Sequence, residues 1–115
     1  MEQKSSRMNK ILIIAAASAP LFCSGSPVSA GESADALMQR SDCLVCHKTD
    51  QKLVGPSFRE IADRYKDDPN AVKTLTEKVI NGGSGAWGQI PMAPHANIPA
   101  ADAEEIVKWI LEQKS

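Results

Sequence analysis

Five consecutive residues, Cys43-Leu44-Val45-Cys46-His47, constrain this chain more than any other feature of it. A C-x-x-C-H run is the sequence mark of covalent c-type haem attachment. The spacing has a chemical reason. Two thiols three positions apart can each add to one of the two vinyl groups on a haem edge, while the next residue turns its imidazole toward the iron. Cys43 and Cys46 are therefore the expected covalent anchors, and His47 the expected proximal ligand. Two other uses of a C-x-x-C pair fit less well. A structural zinc site wants four N or S ligands, and past residue 30 the chain offers only Cys43, Cys46, His47 and His95. A thioredoxin-like dithiol needs a βαβ context, and no strand pattern flanks this pair.

Covalent haem attachment takes place after secretion, and the first thirty residues read as an export signal. Lys4, Arg7 and Lys10 form a positive n-region, Ile11 to Phe22 an apolar h-region, and Val28-Ser29-Ala30 a small-residue cleavage site. Cleavage is predicted after Ala30, dividing the chain into a signal peptide, 1–30, and one domain, 31–115. The apolar run is about 12 residues, short of the roughly 20 a membrane span requires. No second such run exists, so no membrane anchor is expected and the exported domain is expected to be soluble. Cys23 invites a lipoprotein reading, yet Phe22 stands before it where a lipid-modified cysteine wants a small residue.

Residues 31–115 suffice for one domain but are few for burying a core; a buried haem would supply the missing apolar surface. Removing Cys23 with the signal leaves two cysteines of three, both in the C-x-x-C-H run. The segment carries ten basic and thirteen acidic side chains, a net of about −3, which is not the footprint of a nucleic-acid binder. It allows a partner with a basic rim.

The chain shows no internal repeat, low-complexity tract or useful strand alternation, and it reads as all helix and loop. Ser33 caps a first helix, with Ala34, Leu37 and Met38 on one face, running to the C-x-x-C-H run. Ser57-Phe58-Arg59-Glu60 is a capping box opening a short second helix with Phe58, Ile61, Ala62 and Tyr65 as its apolar stripe. Asp68-Pro69 reads as N-cap and N1 of a third helix, with Val72, Leu75 and Val79 on one face and Gly82 as its C-cap. The last helix is expected over about Ala101 to Gln113, with Asp102, Glu104 and Glu105 early, Ile106, Trp109 and Ile110 inward, and a crossing against the first helix.

Between the last two helices, Asn81 to Pro99 holds glycines at 82, 83, 85 and 88 and prolines at 91, 94 and 99. Such a segment cannot be a helix, and a loop this long in a small domain is usually functional or disordered. Trp87, Ile90 and Met92 are an apolar set unsuited to water. Met92 is the expected distal iron ligand. The only other methionine past residue 30, Met38, lies five residues before Cys43 on the approach helix, where it cannot reach the other haem face. Met92 follows His47 by 45 residues, enough chain to wrap the porphyrin and return, and prolines on both sides stiffen its loop. The plain alternative is a gap-filling core methionine.

Taken together, Cys43-Leu44-Val45-Cys46-His47, Val54-Gly55-Pro56, Gly85-Ala86-Trp87-Gly88-Gln89-Ile90-Pro91-Met92 and Lys108-Trp109-Ile110-Leu111 resemble the small bacterial class I cytochromes c of the c-551 type, in order and spacing, over nearly all of residues 31–115. The resemblance implies an all-α cytochrome c fold of about four helices wrapped around one haem c, covalently bound through Cys43 and Cys46. It implies a monomeric single-electron carrier, not an enzyme, shuttling between periplasmic redox proteins: a quinol-oxidising complex on one side and a terminal oxidase or nitrite reductase on the other. By the same resemblance, the Pro56 carbonyl accepts a hydrogen bond from the His47 ring, and Trp87 and Lys78 hold a haem propionate.

The chain departs from the family pattern after Met92. Members often have proline directly after the ligand methionine and soon afterwards an asparagine whose amide touches the sulfur. Here Ala93 follows, and His95 or Asn97 would have to act for the amide; otherwise His95 is a plain surface histidine. With imidazole and thioether both bound, no coordination site is open to substrate. The contrasting function is a five-coordinate haem enzyme or gas sensor, and a further one is an electron-donor subunit dedicated to a single oxidoreductase.

Overall fold

The computed structural model describes residues 16, 17, 19–21 and 31–115. The positive n-region, most of the apolar run, Cys23 and the expected cleavage site at Val28-Ser29-Ala30 lie outside the described residues.

Five helical segments and one small hairpin make up residues 31–115. The first helix, α1 (Ala34–Arg40), opens as its sequence requires: the Ser33 hydroxyl accepts the Ala36 N–H at 3.3 Å. It does not run into the cysteine motif. Ser41 closes it, and Asp42 takes a left-handed conformation (φ 59°), one of the few that a short polar side chain tolerates. The chain then starts again as a single turn, α2 (Cys43–Cys46), which is the segment beyond the expected four.

The capping box of α3 (Phe58–Tyr65) is complete. The Ser57 hydroxyl accepts the Glu60 N–H at 3.1 Å and the Glu60 carboxylate accepts the Ser57 N–H at 2.7 Å. Helix α4 (Ala71–Asn81) begins two residues later than the Asp68-Pro69 signal suggests. The Asp68 side chain accepts the Asn70 N–H at 2.8 Å, and its carbonyl accepts the Ala71 N–H at 3.1 Å. Asp68 thus builds an Asx turn ahead of the helix and leaves the cap position to Asn70. Gly82 does end α4, at φ +65°.

The glycine-rich stretch, expected as a loop, holds a small hairpin. Strands β1 (Gly83–Gly85) and β2 (Gly88–Met92) pair antiparallel, Gly83 opposite Met92 and Gly85 opposite Gly88, with an irregularity between. A helix, α5 (Ala100–Leu111), follows.

Helix α5 packs against α1, α3 and α4 and organises the core. Ile106 and Ile110 join Leu37, Met38, Cys43, Phe58 and Ile61 in one cluster, and Ala103 and Val107 join Val79 in a second. Trp109 packs from the edge of the first cluster, its ring perpendicular to Phe58 at 5.7 Å. Phe58, Met38, Ile106 and Val107 are the largest side chains to lose all water contact, each contributing about 1.5–3 kcal/mol. Arg40 pairs with Asp102 at 2.9 Å where α1 crosses α5; half-exposed as it is, the pair fixes the crossing more than it stabilises it. Because Cys43 belongs to the first cluster, the cysteine motif is fastened to the core.

Candidate cofactor-binding site

The motif faces a cavity of about 830 Å³, within the range of small-molecule and cofactor sites. One part of its wall is α2 and the segment after it, supplying Cys43, Cys46, His47 and Pro56. Another is the hairpin, supplying Trp87, Ile90 and Met92, and α4 adds Lys78.

His47 is held from three directions. The segment from His47 to Ser57 folds back on itself: the Gly55 N–H donates to the Cys46 carbonyl at 2.9 Å and the Phe58 N–H to the Lys48 carbonyl at 2.9 Å. This return brings the Pro56 carbonyl oxygen to 2.6 Å from His47 Nδ1. Phe58 stacks on the imidazole, centroids 5.5 Å apart and planes 21° from parallel. Gly55 supplies the room: a Cβ there would lie 2.5 Å from His47 Cε1. The imidazole is thereby clamped in plane and rotation, with Nε2 the nitrogen left for the cavity.

Cys43 is buried and Cys46 half-buried, both on the cavity wall. Among the described residues no three His, Cys, Asp or Glu side chains gather as an ion site would need.

Met92 ends β2, half-buried, lining the cavity and packing on the Val79, Ala103 and Val107 cluster. Gly82 makes that approach possible, since a Cβ there would lie 2.5 Å from the Met92 carbonyl oxygen. Met38 is 1% exposed in the core and is not part of the cavity wall. Lys78 is half-buried on the wall, and Gly83 leaves space for it, a Cβ there lying 3.2 Å from Nζ. Trp87 stands at the mouth, 39% exposed. His95 is not a plain surface residue: it is half-buried, lines the cavity, and its Nδ1 is buried without a hydrogen-bond partner. Asn97 is exposed and lines a smaller neighbouring cavity instead.

Three contributors escaped the sequence reading. By sequence alone the Val-Gly-Pro segment gives Gly55 no role of its own, Phe58 reads as helix core, and Arg64 carries no local signal. Arg64 reaches from α3 to the Ala86-Trp87 turn, and no local pattern announces a contact between residues so far apart.

The residues fit a haem. Two thiols share one edge of the cavity, an imidazole offers one free nitrogen, and a thioether lines the same space from a separate element. Comparisons with known proteins agree. A family model described as Cytochrome c matches residues 32–114. Cytochrome c-551 of Allochromatium vinosum is 47% identical over 75 residues, covering 65% of this chain and 80% of the relative. Cytochrome c-551 of Azotobacter vinelandii is 42% identical over 83 residues, covering 72% of this chain and 100% of the relative. The crystal structure of wild-type Nitrosomonas europaea cytochrome c552 superposes with a TM-score of 0.66 at 42% identity, covering 68% of this chain and 96% of that one.

Proposed function

Since the chain belongs to the cytochrome c family, as a small class I member of the c-551 type carrying one covalently attached haem c and transferring electrons, we propose that it is a periplasmic carrier with His47 and Met92 as the axial ligands and Cys43 and Cys46 as the covalent anchors. One observation carries this reading: His47, its Nδ1 engaged by Pro56, and the Met92 thioether line a single cavity with both thiols.

When bound, haem c supplies an iron that alternates between ferric and ferrous by one electron. The chain's own work is positional. Pro56, Phe58 and Gly55 fix the imidazole, and the hydrogen bond to Pro56 raises its basicity. Met92 is a soft ligand, and together with the apolar wall it favours the ferrous state, so the potential is high for a haem protein. With a ligand offered from each of two separate elements, little of the protein has to move when the charge changes. Lys78 and Trp87, which line the same cavity, would hold a haem propionate.

Val45, Val54 and Ile90 line the cavity and are 69%, 55% and 67% exposed, and such exposed apolar side chains suit the brief, small-area encounters of redox partners. By family resemblance the partners are a quinol-oxidising complex and a terminal oxidase or nitrite reductase. The export-signal reading of residues 1–30 supports the periplasmic location, and no helix among the described residues is long and apolar enough to cross a membrane.

Spectra of the purified protein test the reading. The pigment is expected to stay with the polypeptide through acid extraction. The ferric form is expected to show a near-infrared sulfur-to-iron charge-transfer band, and the ferrous form to resist carbon monoxide at neutral pH. Rapid carbon monoxide binding would replace the carrier with a five-coordinate haem protein.

A further inference from the structure

Helix α3 touches both sides of the candidate site. At its N-terminal end Phe58 stacks on His47, and its cap, Ser57, directly follows the Pro56 that holds the imidazole. In its last turn Arg64 reaches the hairpin instead. Nη1 donates to the Ala86 carbonyl at 2.5 Å, and the guanidinium carbon lies 4.5 Å from the centroid of the Trp87 ring. That is cation–π geometry with a hydrogen bond added. Arg64 has no ion-pair partner among the described residues, so its guanidinium is given over to the turn and to the neighbouring Tyr65 ring at 5.9 Å.

The hairpin needs such a hold. Two paired strands alone are marginal in water. Here β1 is Gly-Ser-Gly, exposed throughout, and β2 is exposed except at Met92. Its base is fixed where Met92 packs on the α4 and α5 cluster. Its tip has Arg64: among the described residues this is the one side-chain hydrogen bond that joins the hairpin to a helix.

We propose that Arg64 is a positioning residue, a latch that grips the Ala86-Trp87 turn and so keeps the strand ending in Met92 closed over the cavity. The proposal rests on the reading of Met92 as distal ligand. Through α3, the clamp on His47 and the hold on the methionine strand share one rigid element.

The test compares the holoprotein with Arg64→Gln and Arg64→Lys. Hydrogen exchange at the Gly85, Gly88 and Ile90 amides is expected to quicken about tenfold in the glutamine variant, the size of a lost cation–π contact plus a hydrogen bond. The α5 amides should not change, and lysine should fall between, keeping charge over Trp87 without the planar fork. Unchanged hairpin exchange overturns the latch, whatever binds the iron. The second readout is imidazole binding to the ferric protein, which requires Met92 to leave and is expected to quicken by a similar factor. If the wild type shows the sulfur-to-iron band and the hairpin loosens while imidazole binding stays the same, the link from tip to Met92 is overturned. If the wild type lacks the band, the fault lies with the Met92 reading, and exchange alone decides the latch.

Discussion

The Pro56 carbonyl oxygen stands 2.6 Å from His47 Nδ1. A carbonyl oxygen can only accept, so the imidazole proton is committed to Nδ1 and the Nε2 lone pair is directed at the cavity. The partners are nine positions apart in the chain, and the backbone bond from the Gly55 N–H to the Cys46 carbonyl closes the loop that brings them together. The tautomer of the proposed proximal ligand is thus a product of main-chain folding.

Gly55→Ala should damage the site from its proximal side. The new methyl group would lie 2.5 Å from His47 Cε1, closer than any real contact, so the ring must tilt or the loop must move. Either costs about 1–3 kcal/mol as overpacking and loosens the bond to Pro56. The expected result is a lower melting temperature of the holoprotein together with a shifted potential, measured by calorimetry and redox titration. A variant with wild-type values for both would mean that the segment yields freely.

Met92→Ala removes the thioether from the cavity. The sulfur-to-iron band should vanish and carbon monoxide should bind the ferrous protein rapidly. The potential should fall by at least roughly 0.1 V on the ~0.8 V range over which axial ligands act. Retention of the band would assign the sulfur ligand to another residue; loss of the band without rapid carbon monoxide binding would point to His95, which lines the same cavity with an unpartnered Nδ1.

Where a signal is local the sequence carried it: Ser33, the Ser57–Glu60 box and Gly82 all act where their types and spacing put them. The break at Asp42 was hidden because its left-handed backbone is permitted to an aspartate without being signalled by one. Asp68 misled because an aspartate before proline serves equally as a helix cap and as an Asx turn, and nothing nearby chooses between them. The hairpin is illegible because β1, Gly-Ser-Gly, has a single small side chain and so no alternation; its pairing resides in backbone bonds and in glycines at positive φ. In the site, the C-x-x-C-H run and Met92 stood out as residue types, whereas Phe58 and Arg64 contribute through long-range packing that no period encodes.

Acid should weaken the α3 end of the structure through Glu60. The Ser57 N–H, and after it the Ser57 hydroxyl, hold the Glu60 carboxyl below its ordinary value near 4.5. A lowered folded-state value means the contribution is complete above that ordinary value and is lost as pH falls through the lower one. Wild type should therefore lose more stability on acidification below about pH 4.5 than Glu60→Gln does, read as the difference in denaturation midpoints at matched pH. Parallel acid profiles would remove the capping box as the cause. Asp63, lowered by the Ser115 N–H and hydroxyl, acts in the same direction and stays intact in both proteins, so it cancels in the comparison.

Loss of both anchors should unfold the domain. In Cys43→Ala with Cys46→Ala the cavity of about 830 Å³ is left without its covalent occupant, beside a core whose largest fully buried side chains among the described residues are Phe58, Met38, Ile106 and Val107. So large an apolar-walled space cannot stay empty, and flooding or collapse would strip Phe58 and Met92 of their packing. A domain of this length has a margin of only about 5–15 kcal/mol, and occupant binding is part of it. The exported double variant is expected to show little helical circular dichroism and no cooperative melt. Cys46→Ala alone, keeping one thioether and the buried Cys43, should remain coloured and folded with a lower melting temperature. A colourless double variant that is helical and melts cooperatively would show that α1, α3, α4 and α5 hold together by their own contacts, with the cofactor a guest in a finished structure.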